Sequence, residues 1–498
     1  MQRSISKTLV LLATAALTSC GGPSTSSSGD NVASSSTSKT TGTIVVPFWH
    51  TFGQVVRNSV EKQAEAFEKL ILENTGVSVD IQIANNTGTS YDSLKEQVTK
   101  AFAVGGVPTI TVAYPDHVAD YLSQDRTYVY DVSSFVDDSA IGFGTQSYLG
   151  DSADYNADDF VPAFWNEGVS YQYEGRYSMP FLKSSETMLY NVDAAKKAIQ
   201  IYRGDTTAPS NDEVKTYLSN ISWTEFMKLC ASAYENRAQV LDGMKEACIY
   251  DSDGNLFISK MFQEEIPYAT VGSDGKGVIA FESGEARTKA EAMVTKLKED
   301  HDAHLLETKG TLGNYGSDSF KKKEAIFCIG STGGTGYSLP TAGEFSCAAV
   351  KVPTDATEDN HSLYITQGPT LAILRNPSLS QEENDLRARY AWQFIKYLTN
   401  PEANTEISIY SNGYVPVRES AYSTTNFQRY LSDNDDALTD CARLMTGDIN
   451  DSYISQKAFR GSSALRTQVG GIVTDVLMKG TSVSAAFDTA IQTAKNAM

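Results

Sequence analysis

Three stretches of the sequence contain residue types that could hold a metal ion or a phosphate. Residues 251–255 (DSDGN) begin like a calcium loop, but the glycine of its sixth position and the glutamate of its twelfth are missing. Residues 330–336 (GSTGGTG) are glycine-rich but lack the Lys-Ser/Thr ending of a phosphate-binding P-loop. His301 and His304 lie one helical turn apart, and the spacing supplies no third ligand. We therefore expect no metal site here.

The sequence also offers no positive case for catalysis. It contains no G-x-S-x-G, the motif that presents the nucleophile of α/β-hydrolases. Acidic residues are abundant, but their spacing singles out no pair for general acid and base chemistry. We therefore expect a protein that is not an enzyme and needs no cofactor.

An aromatic cluster at residues 44–54 (IVVPFWHTFGQ) is better suited to binding than to catalysis. The apolar run predicts a buried strand, in which Phe48 and Trp49 alternate, so that one of them belongs to the core. His50, Thr51 and Phe52 follow at the end of the strand. They are candidates for contact with a ligand, with a structural role equally open for His50.

The elements around this cluster alternate between strand and helix. The hydrophobic periodicity predicts strands at 43–49, 77–83 and 109–114 and helices at 55–74 and 91–105. Strand–helix–strand units at this spacing imply a parallel sheet with right-handed crossovers. Ligands of such sheets bind beyond the carboxyl ends of the strands, where HTFGQ and YPDH both lie.

The rest of the chain continues the α/β pattern. Helices and short strands are mixed between about 180 and 365, a buried strand is predicted at 365–374, and two helices at 382–410 are separated at Asn400-Pro401. The tail from about 460 is predicted to be helical. A body of about 450 residues is too large for one core and should divide into two lobes.

The N-terminus resembles a bacterial lipoprotein leader. Arg3 and Lys7 precede an apolar segment too short to span a membrane, and Leu17-Thr18-Ser19-Cys20 is similar to a lipobox. Residues 1–20 are thus expected to be a signal peptide, with Cys20 acylated. The Ser/Thr-rich residues 21–42 should form a disordered tether. The body is expected at the extracellular face of the cytoplasmic membrane, held only by the N-terminal lipid.

Composition narrows the range of partners. The net charge of −20 disfavours nucleic acid and direct adhesion to anionic lipid. The 26 tyrosines suit a surface that binds polar molecules. Five cysteines remain if Cys20 is lipidated. They predict buried free thiols, with one disulfide left open.

The sequence resembles the extracellular solute-binding proteins of bacterial ABC importers, in the large carbohydrate-type group. Its likeness is greatest to the glycerol-3-phosphate-binding member. Eight landmarks carry the resemblance, in the family's order: PFWHTFG, SYDSLKEQVTKAFAVGGVPTITVAY, MPFLKSSETMLYNVDAAKKA, FKKKEAIFCIGSTGG, ITQGPTLAIL, AWQFIKYLTNPEANTEIS, NGYVPVRESAY and SVSAAFDTAIQTA.

The resemblance implies a two-lobed periplasmic-binding-protein-like fold with a hinge and a ligand cleft between the lobes. The chain should cross between lobes near 178–181, 365–369 and 414–418. The first lobe would contain residues 43–178 and 367–415. The second would contain residues 179–366 and 416–498.

The resemblance also implies a set of cleft residues. Besides His50, Thr51 and Phe52, the matching positions are Tyr91, Tyr114, Asp116, Ser184, Ser331, Thr332, Gly368, Tyr414 and Arg460. Asp116 departs from the family pattern, because Pro115 separates it from Tyr114, and the spacing around Arg460 also differs. Tryptophans that the glycerol-phosphate binder has in the segment matching IYDSDGNLFISKMF are absent. A sugar, a glycerophosphodiester or another polar solute therefore stays open.

The expected function is a monomeric, lipid-anchored receptor that delivers a small polar solute to the permease subunits of an ABC importer. A surface enzyme acting on glycans and an adhesin lipoprotein are the alternatives. The first lacks a catalytic motif, and the second would more often show sequence repeats.

Overall fold

The computed structural model describes residues 42–84, 90–354, 363–450, 452–454 and 456–498. Residues Gly42–Met498 form one compact unit. The predicted leader, the tether up to residue 41 and the lipidation site Cys20 lie outside the described residues.

Twelve strands occur among the described residues, and they are short. In chain order, β1 to β12 are Ile44–Trp49, Val79–Ala84, Ile110–Ala113, Met179–Pro180, Glu186–Asn191, Cys248–Tyr250, Ala269–Val271, Gly277–Ile279, Leu306–Thr308, Phe327–Ser331, Cys347–Lys351 and Thr370–Ile373.

Twenty-one α-helices accompany them in the described part of the chain. In chain order, α1 to α21 are Gln54–Thr75, Tyr91–Val104, Pro115–Gln124, Ser133–Val136, Pro162–Glu167, Val192–Arg203, Asn211–Ser219, Trp223–Glu235, Arg237–Val240, Asp253–Gln263, Gly284–Asp302, Lys309–Leu312, Gly316–Lys321, Thr335–Ser338, Gln381–Leu398, Pro401–Ser411, Glu419–Tyr422, Thr425–Asp433, Ala437–Arg443, Ser462–Leu477 and Val483–Ala497.

The first lobe is built on a five-stranded sheet of order β2-β1-β3-β12-β4. Strands β2, β1 and β3 are parallel, as the strand–helix–strand pattern predicted, and β12 is antiparallel to β3 and β4. Alternate residues of β1 are buried: Phe48 is fully enclosed, while Trp49 is partly exposed. Phe48 is thus the core residue of the aromatic cluster.

The second lobe is built on another five-stranded sheet, of order β11-β5-β10-β6-β9. Strands β10, β6 and β9 are parallel, and β5 is antiparallel to both of its neighbours. Together the two sheets confirm the predicted α/β fold of two lobes.

Helix α1 shows why the elements near the first sheet were predictable. Its apolar residues recur every three or four positions, and Val56, Val60, Phe67 and Ile71 are all buried. Gly76 ends the helix with φ +72°, a left-handed conformation that glycine adopts without strain. The periodicity turns one face of α1 onto the sheet.

Three chain segments come together between the two sheets. Lys183 and Val415 exchange backbone hydrogen bonds of 3.2 and 2.8 Å. Ser184 and Gln367 exchange another pair, of 3.0 and 2.8 Å. Residues 183–184 therefore lie between the other two segments in a short antiparallel ladder.

Beyond Val415 the chain stays beside α16 before it reaches the second sheet. Helices α17 and α18 contact α16, whereas α19 contacts β11. The passage from one sheet to the other is therefore completed after α18.

The cysteines of the body are free thiols in the structure. Four of them are buried and Cys347 is partly exposed. Cys328 and Cys441 belong to a small apolar cluster beside β11, against which Cys347 packs. Burial raises the pKa of the Cys441 thiol to about 11, which keeps it protonated at neutral pH. Among the described residues, no helix has the length and apolar character needed to cross a bilayer.

Candidate functional site

A cavity of about 1520 Å³ lies between the two sheets. The first lobe lines it with residues 51–56, 90–92 and 114–117, which follow or face the carboxyl ends of β1 to β3. The second lobe contributes residues 251–255, 330–331, 333–338 and one face of the helix segment 462–474, among others. Lys183, Gln367 and Tyr414 line it from the segments between the lobes. The cavity therefore contacts both lobes and all three crossing segments.

Several long helices begin at this cavity. The first residues of α1, α2, α3, α10 and α20 all line it. A helix N-terminus presents backbone N–H groups and a partial positive charge, so it attracts oxygen acceptors. No side chain caps α1, α3 or α20. The partial positive charge at these helix starts attracts electron-rich oxygens, although the Ser462 N–H of α20 donates to Phe459 and the His117 N–H of α3 to Tyr114.

A group of tyrosines forms the aromatic wall of the cavity. The rings of Tyr91 and Tyr114 are tilted by 45° with their centroids 4.6 Å apart. The hydroxyl of Tyr91 faces the side chains of Tyr414 and Thr51. Burial raises the pKa of all three tyrosines, so each keeps its proton at neutral pH. The group offers flat apolar faces and neutral hydroxyls that can donate or accept.

The glycine-rich stretch 330–336 makes room for Tyr414. A Cβ at Gly333 would lie 2.8 Å from the Tyr414 ring, so the ring rests directly on the backbone of this loop. The loop continues into Tyr337, which is 76% exposed at the mouth of the cavity. Its hydroxyl lies 3.7 Å from the position that a Cβ at Gly53 of the first lobe would occupy. The absence of a side chain at Gly333 thus allows the Tyr414 ring to pack against this loop.

A buried carboxyl group forms part of the second lobe's wall. Glu186 accepts hydrogen bonds of 2.5 Å from the Tyr250 hydroxyl and 2.7 Å from the Asn255 amide. Asn255 in turn accepts a hydrogen bond from Arg466. Burial raises the pKa of Glu186 to about 7, against the opposite effect of these hydrogen bonds. The network fixes Arg466 at the cavity.

An ion pair connects the segment between the lobes to helix α5. The Lys183 side chain is 1% exposed and pairs with Glu167 of α5, and both residues line the cavity. At the opposite wall, His117 Nε2 lies 3.3 Å from Asp92 Oδ1, and this interaction holds the pKa of Asp92 below its usual value. These four side chains are therefore held by protein partners.

Eight of the twelve ligand residues proposed from the sequence line the cavity. They are Thr51, Phe52, Tyr91, Tyr114, Asp116, Ser331, Gly368 and Tyr414. Gly368 has φ +93°, and a Cβ there would lie 2.2 Å from the Leu182 carbonyl oxygen, so this close approach of two backbones requires glycine.

His50 lies behind the cavity wall rather than in it. The side chain is fully buried and stacks on Phe52 with ring centroids 5.0 Å apart. Its Nδ1 accepts a 3.0 Å hydrogen bond from the Phe52 N–H. Burial, assisted by the nearby charge of Arg57, lowers the pKa of His50 to about 4. In this position a neutral imidazole supports Phe52, which does line the cavity.

Three other proposed residues also lie outside the lining. Ser184 and Thr332 are fully buried, because the first belongs to the ladder between the lobes and the second donates its backbone N–H to Ser185, at 2.8 Å. Arg460 is exposed, and its backbone N–H donates to the side chain of Gln172 at 2.6 Å. The arginine that lines the cavity is Arg466, which lies between one and two helical turns farther along α20.

The sequence reasoning missed the second-lobe wall, including Glu186, Asn255, Tyr268 and Arg466. A weak signal existed for Glu186, because it directly precedes the apolar residues of strand β5, where a carboxyl group is seldom buried without a reason. Asn255 belongs to the rejected calcium-loop stretch 251–255, and nothing in the sequence marked Tyr268 or Arg466, since only the fold brings these segments together.

Residues 62–438 match the family model described as bacterial extracellular solute-binding protein. The chain belongs to this family. Membership makes it a solute-binding protein rather than an enzyme, in line with the lack of a catalytic motif in its sequence. No curated protein sequence matches it.

Solved structures share the fold of this solute-binding protein over nearly their whole length. The GacH receptor of Streptomyces glaucescens, solved unliganded and with acarbose, is 17% identical with a TM-score of 0.62, covering 91% of this chain and 99% of its own. UgpB from Mycobacterium tuberculosis with glycerophosphocholine is 17% identical with a TM-score of 0.63, covering 91% and 98%. Maltose-bound MalE3 of T. maritima is 15% identical with a TM-score of 0.58, covering 92% and 100%.

Proposed function

We propose that this solute-binding protein captures a sugar-class, polyhydroxylated solute between its lobes and delivers it to the permease subunits of an ABC importer. The observation that carries the proposal is the wall formed by Tyr91, Tyr114 and Tyr414, with carboxyl groups around it. Sugars present apolar C–H faces that stack on aromatic rings and hydroxyls that donate to carboxylates. The tyrosine rings and the carboxyl groups of the cavity supply both kinds of contact.

The charges around the cavity favour a neutral solute over a phosphate. Lys183 is paired with Glu167, and Arg466 donates to Asn255. Carboxyl groups of Asp116, Asp251 and others share the lining, and a dianionic phosphate would be repelled by them. Arg466 favours the second candidate, a glycerophosphodiester, because a guanidinium can bind phosphate oxygens with two parallel hydrogen bonds, and the lysines and helix N-termini of the lining favour it as well.

The compared structures are consistent with both candidates. Their ligands are acarbose, maltose and glycerophosphocholine, and the TM-scores to the three proteins differ little. The size of the cavity supports a solute of more than one ring, because small-molecule sites commonly occupy about 300–1,000 Å³.

We propose that the lobes move about the ladder formed by residues 183–184, 367 and 415. Closure would bury the solute from both sides, and the solute would favour the closed form only through contacts that the open form lacks. We propose that the first lobe boundary lies after β4, since this strand belongs to the first sheet, and that the second lies near 366. The last one lies after α18, since α17 and α18 remain beside α16.

A solute panel tests the proposal. The compact unit Gly42–Met498 would be mixed with maltotriose, glycerol-3-phosphate and glycerophosphocholine, and melting and calorimetric titration would be followed. Maltotriose should raise the melting temperature without being altered, since a ligand at 100 times its Kd adds about 2.7 kcal/mol of stability. A response to glycerophosphocholine alone would establish the second candidate, and turnover of any solute would contradict both.

Truncation of the aromatic wall should abolish this response. In Tyr414→Ala we expect a protein that still melts cooperatively but shows no maltotriose-induced shift, because the ring that links the loop at Gly333 to Tyr91 is gone. Tyr390→Ala, a partly exposed tyrosine of α15 away from the cavity, serves as the control and should keep the shift. An unchanged shift in Tyr414→Ala would remove this residue from the site.

A further inference from the structure

Two polar atoms at the cavity are buried without a hydrogen-bond partner. Ten side-chain nitrogen or oxygen atoms of the described residues are in this condition, and two of them belong to lining residues: the Tyr268 hydroxyl and Gln367 Oε1. A buried polar atom left unpaired destabilises the folded protein, so native structures contain few of them. Because these two atoms lie in the cavity wall, we expect a bound ligand to supply their missing hydrogen bonds.

Tyr268 is held rigidly in the second lobe. The residue is 6% exposed, and its ring stacks on Phe281 with centroids 5.8 Å apart and contacts Phe262 at 6.5 Å. Its backbone carbonyl accepts a 3.0 Å hydrogen bond from Ala280. Because backbone and ring are both fixed, the hydroxyl cannot turn away to find a partner elsewhere.

The surroundings of the Tyr268 hydroxyl are polar and come from both lobes. The charge of Arg466 acts to lower the pKa of this phenol, and the charge of Asp116 acts to raise it, although burial dominates and the pKa is raised. Asp116 belongs to α3 of the first lobe and Arg466 to α20 of the second. All three residues line the cavity, so the charges that act on the Tyr268 hydroxyl come from both lobes.

Gln367 is held equally firmly in a segment between the lobes. Its backbone exchanges two hydrogen bonds with Ser184, and Gly368, which follows it, lies against the backbone at Leu182. An amide oxygen can only accept a hydrogen bond. Its ligand must therefore present a donor, which a hydroxyl supplies and an ionised phosphate oxygen does not.

We propose that Tyr268 and Gln367 are specificity-determining contacts for hydroxyl groups of the bound solute. Gln367 accepts from one hydroxyl beside the hinge, and Tyr268 holds another at the second-lobe wall. This assignment rests on the proposed function and adds to it an orientation, in which an uncharged hydroxylated end of the solute lies toward the hinge.

Matched substitutions test the assignment in the Gly42–Met498 protein, with maltotriose and glycerophosphocholine as the probes. Tyr268→Phe and Gln367→Met each remove a hydrogen-bonding group and keep nearly the same volume. We expect either substitution to weaken binding roughly three- to tenfold, the effect of one lost hydrogen bond. Tyr121→Phe is the control, because its hydroxyl is also buried and unpaired but lies outside the cavity, and it should bind as the wild type does.

The melting temperature of the solute-free variants provides a readout that a structural role would change. Tyr268→Phe should melt at the wild-type temperature or above, since the hydroxyl that it loses has no partner. A lower melting temperature together with unchanged affinity would show a structural role and overturn the assignment.

The outcomes separate this assignment from the proposed function. If the wild type binds either probe and both variants bind it equally well, the assignment alone falls. If the wild type binds neither probe, the proposed function falls and the assignment falls with it. A third variant, Gln367→Glu, keeps an acceptor oxygen at this position. Binding restored relative to Gln367→Met would support Gln367 as an acceptor. Binding as weak as that of Gln367→Met would overturn the assignment.

Discussion

At the scale of single residues, the carboxyl group of Glu186 is the most unusual group in the cavity wall. Its pKa is raised to about 7 because burial disfavours the charged form more than Tyr250 and Asn255 stabilise it. A carboxyl group whose pKa is higher in the folded protein than in the unfolded chain binds protons more readily when folded. Its contribution to stability is therefore greatest in acid and is lost as the pH rises through about 7.

We predict that Glu186→Gln reduces the pH dependence of unfolding. The wild type should lose about 2 kcal/mol of stability through this group between pH 5 and pH 8, and the uncharged amide should remove that loss. Urea unfolding at the two pH values measures the difference for each protein. Glu65→Gln, an exposed residue of α1, should behave as the wild type does. Equal pH dependence in Glu186→Gln and the wild type would contradict the prediction.

His50 makes stability depend on pH in the opposite direction. Its pKa is lowered to about 4 by burial, so the unfolded chain binds protons that the folded protein does not. This contribution to stability is lost as the pH falls toward 4. Glu186 and His50 therefore oppose each other in mild acid, which is why the test of Glu186 compares two proteins rather than two pH values alone.

At the scale of elements, the contact between the loop at residues 332–336 and the turn at residues 412–414 decides where Tyr414 lies. Gly413 has φ +149°, and a Cβ there would lie 1.8 Å from the Thr332 carbonyl oxygen. No side chain fits at this position unless the two segments separate. The loop of the second lobe and the segment between the lobes are thus joined through their backbones.

We predict that Gly413→Ala destabilises the protein by about 2 kcal/mol or more and weakens solute binding, because the added methyl group must push Tyr414 away from Gly333. Chemical denaturation and titration with maltotriose measure the two effects. Gly334→Ala is the matched control on the same loop: a Cβ there meets nothing within 4 Å, so a change of at most about 0.5 kcal/mol is expected. Comparable losses in both variants would show that the close approach at Gly413 does not matter.

The first lobe was largely predictable from the sequence because its elements are long and periodic. Helix α1 and the parallel strands β1, β2 and β3 lie within a residue or two of their expected positions. The second lobe was less predictable from the sequence, because strands of three residues, such as β6 and β9, are too short to show a hydrophobic pattern. The sequence of residues 286–307 predicts one helix, whereas α11 ends at Asp302 and β9 begins at Leu306.

The residues of the candidate site also differ in how far the sequence could locate them. Thr51, Tyr91 and Tyr114 follow predicted strands or begin predicted helices, so the rule for parallel sheets located them. Tyr268 and Arg466 depend on long-range packing that no local pattern reports. Arg460 precedes α20 and Arg466 lies within it, and only the packing of this helix places Arg466 at the cavity.

At the scale of the whole molecule, the proposed lipid anchor decides where the receptor works. Cys20 follows a leader with the order of a lipobox, and residues 21–42 are rich in Ser and Thr. An acyl group would hold the chain at the membrane. The net charge of −20 would keep the folded body from adhering to anionic lipid.

We predict that Cys20→Ser releases the protein from the membrane when it is expressed in a bacterial host. Cell fractionation and incorporation of labelled fatty acid measure the change: the wild type should be labelled and membrane-bound, and the variant unlabelled and soluble. Ser19→Ala keeps a small residue before the cysteine and should retain the anchor. Unlabelled wild-type protein would contradict lipidation at Cys20.

The position of Tyr337 has a practical consequence. This exposed side chain of the second lobe reaches toward Gly53 of the first, across the mouth of the cavity. Any movement of the lobes changes the local environment of this residue more than that of a residue remote from the cavity. Four of the five described native thiols are buried, so a cysteine placed at 337 can be labelled selectively with a solvent-sensitive dye. The receptor then becomes a reagentless optical sensor, whose colour or brightness reports the concentration of its solute.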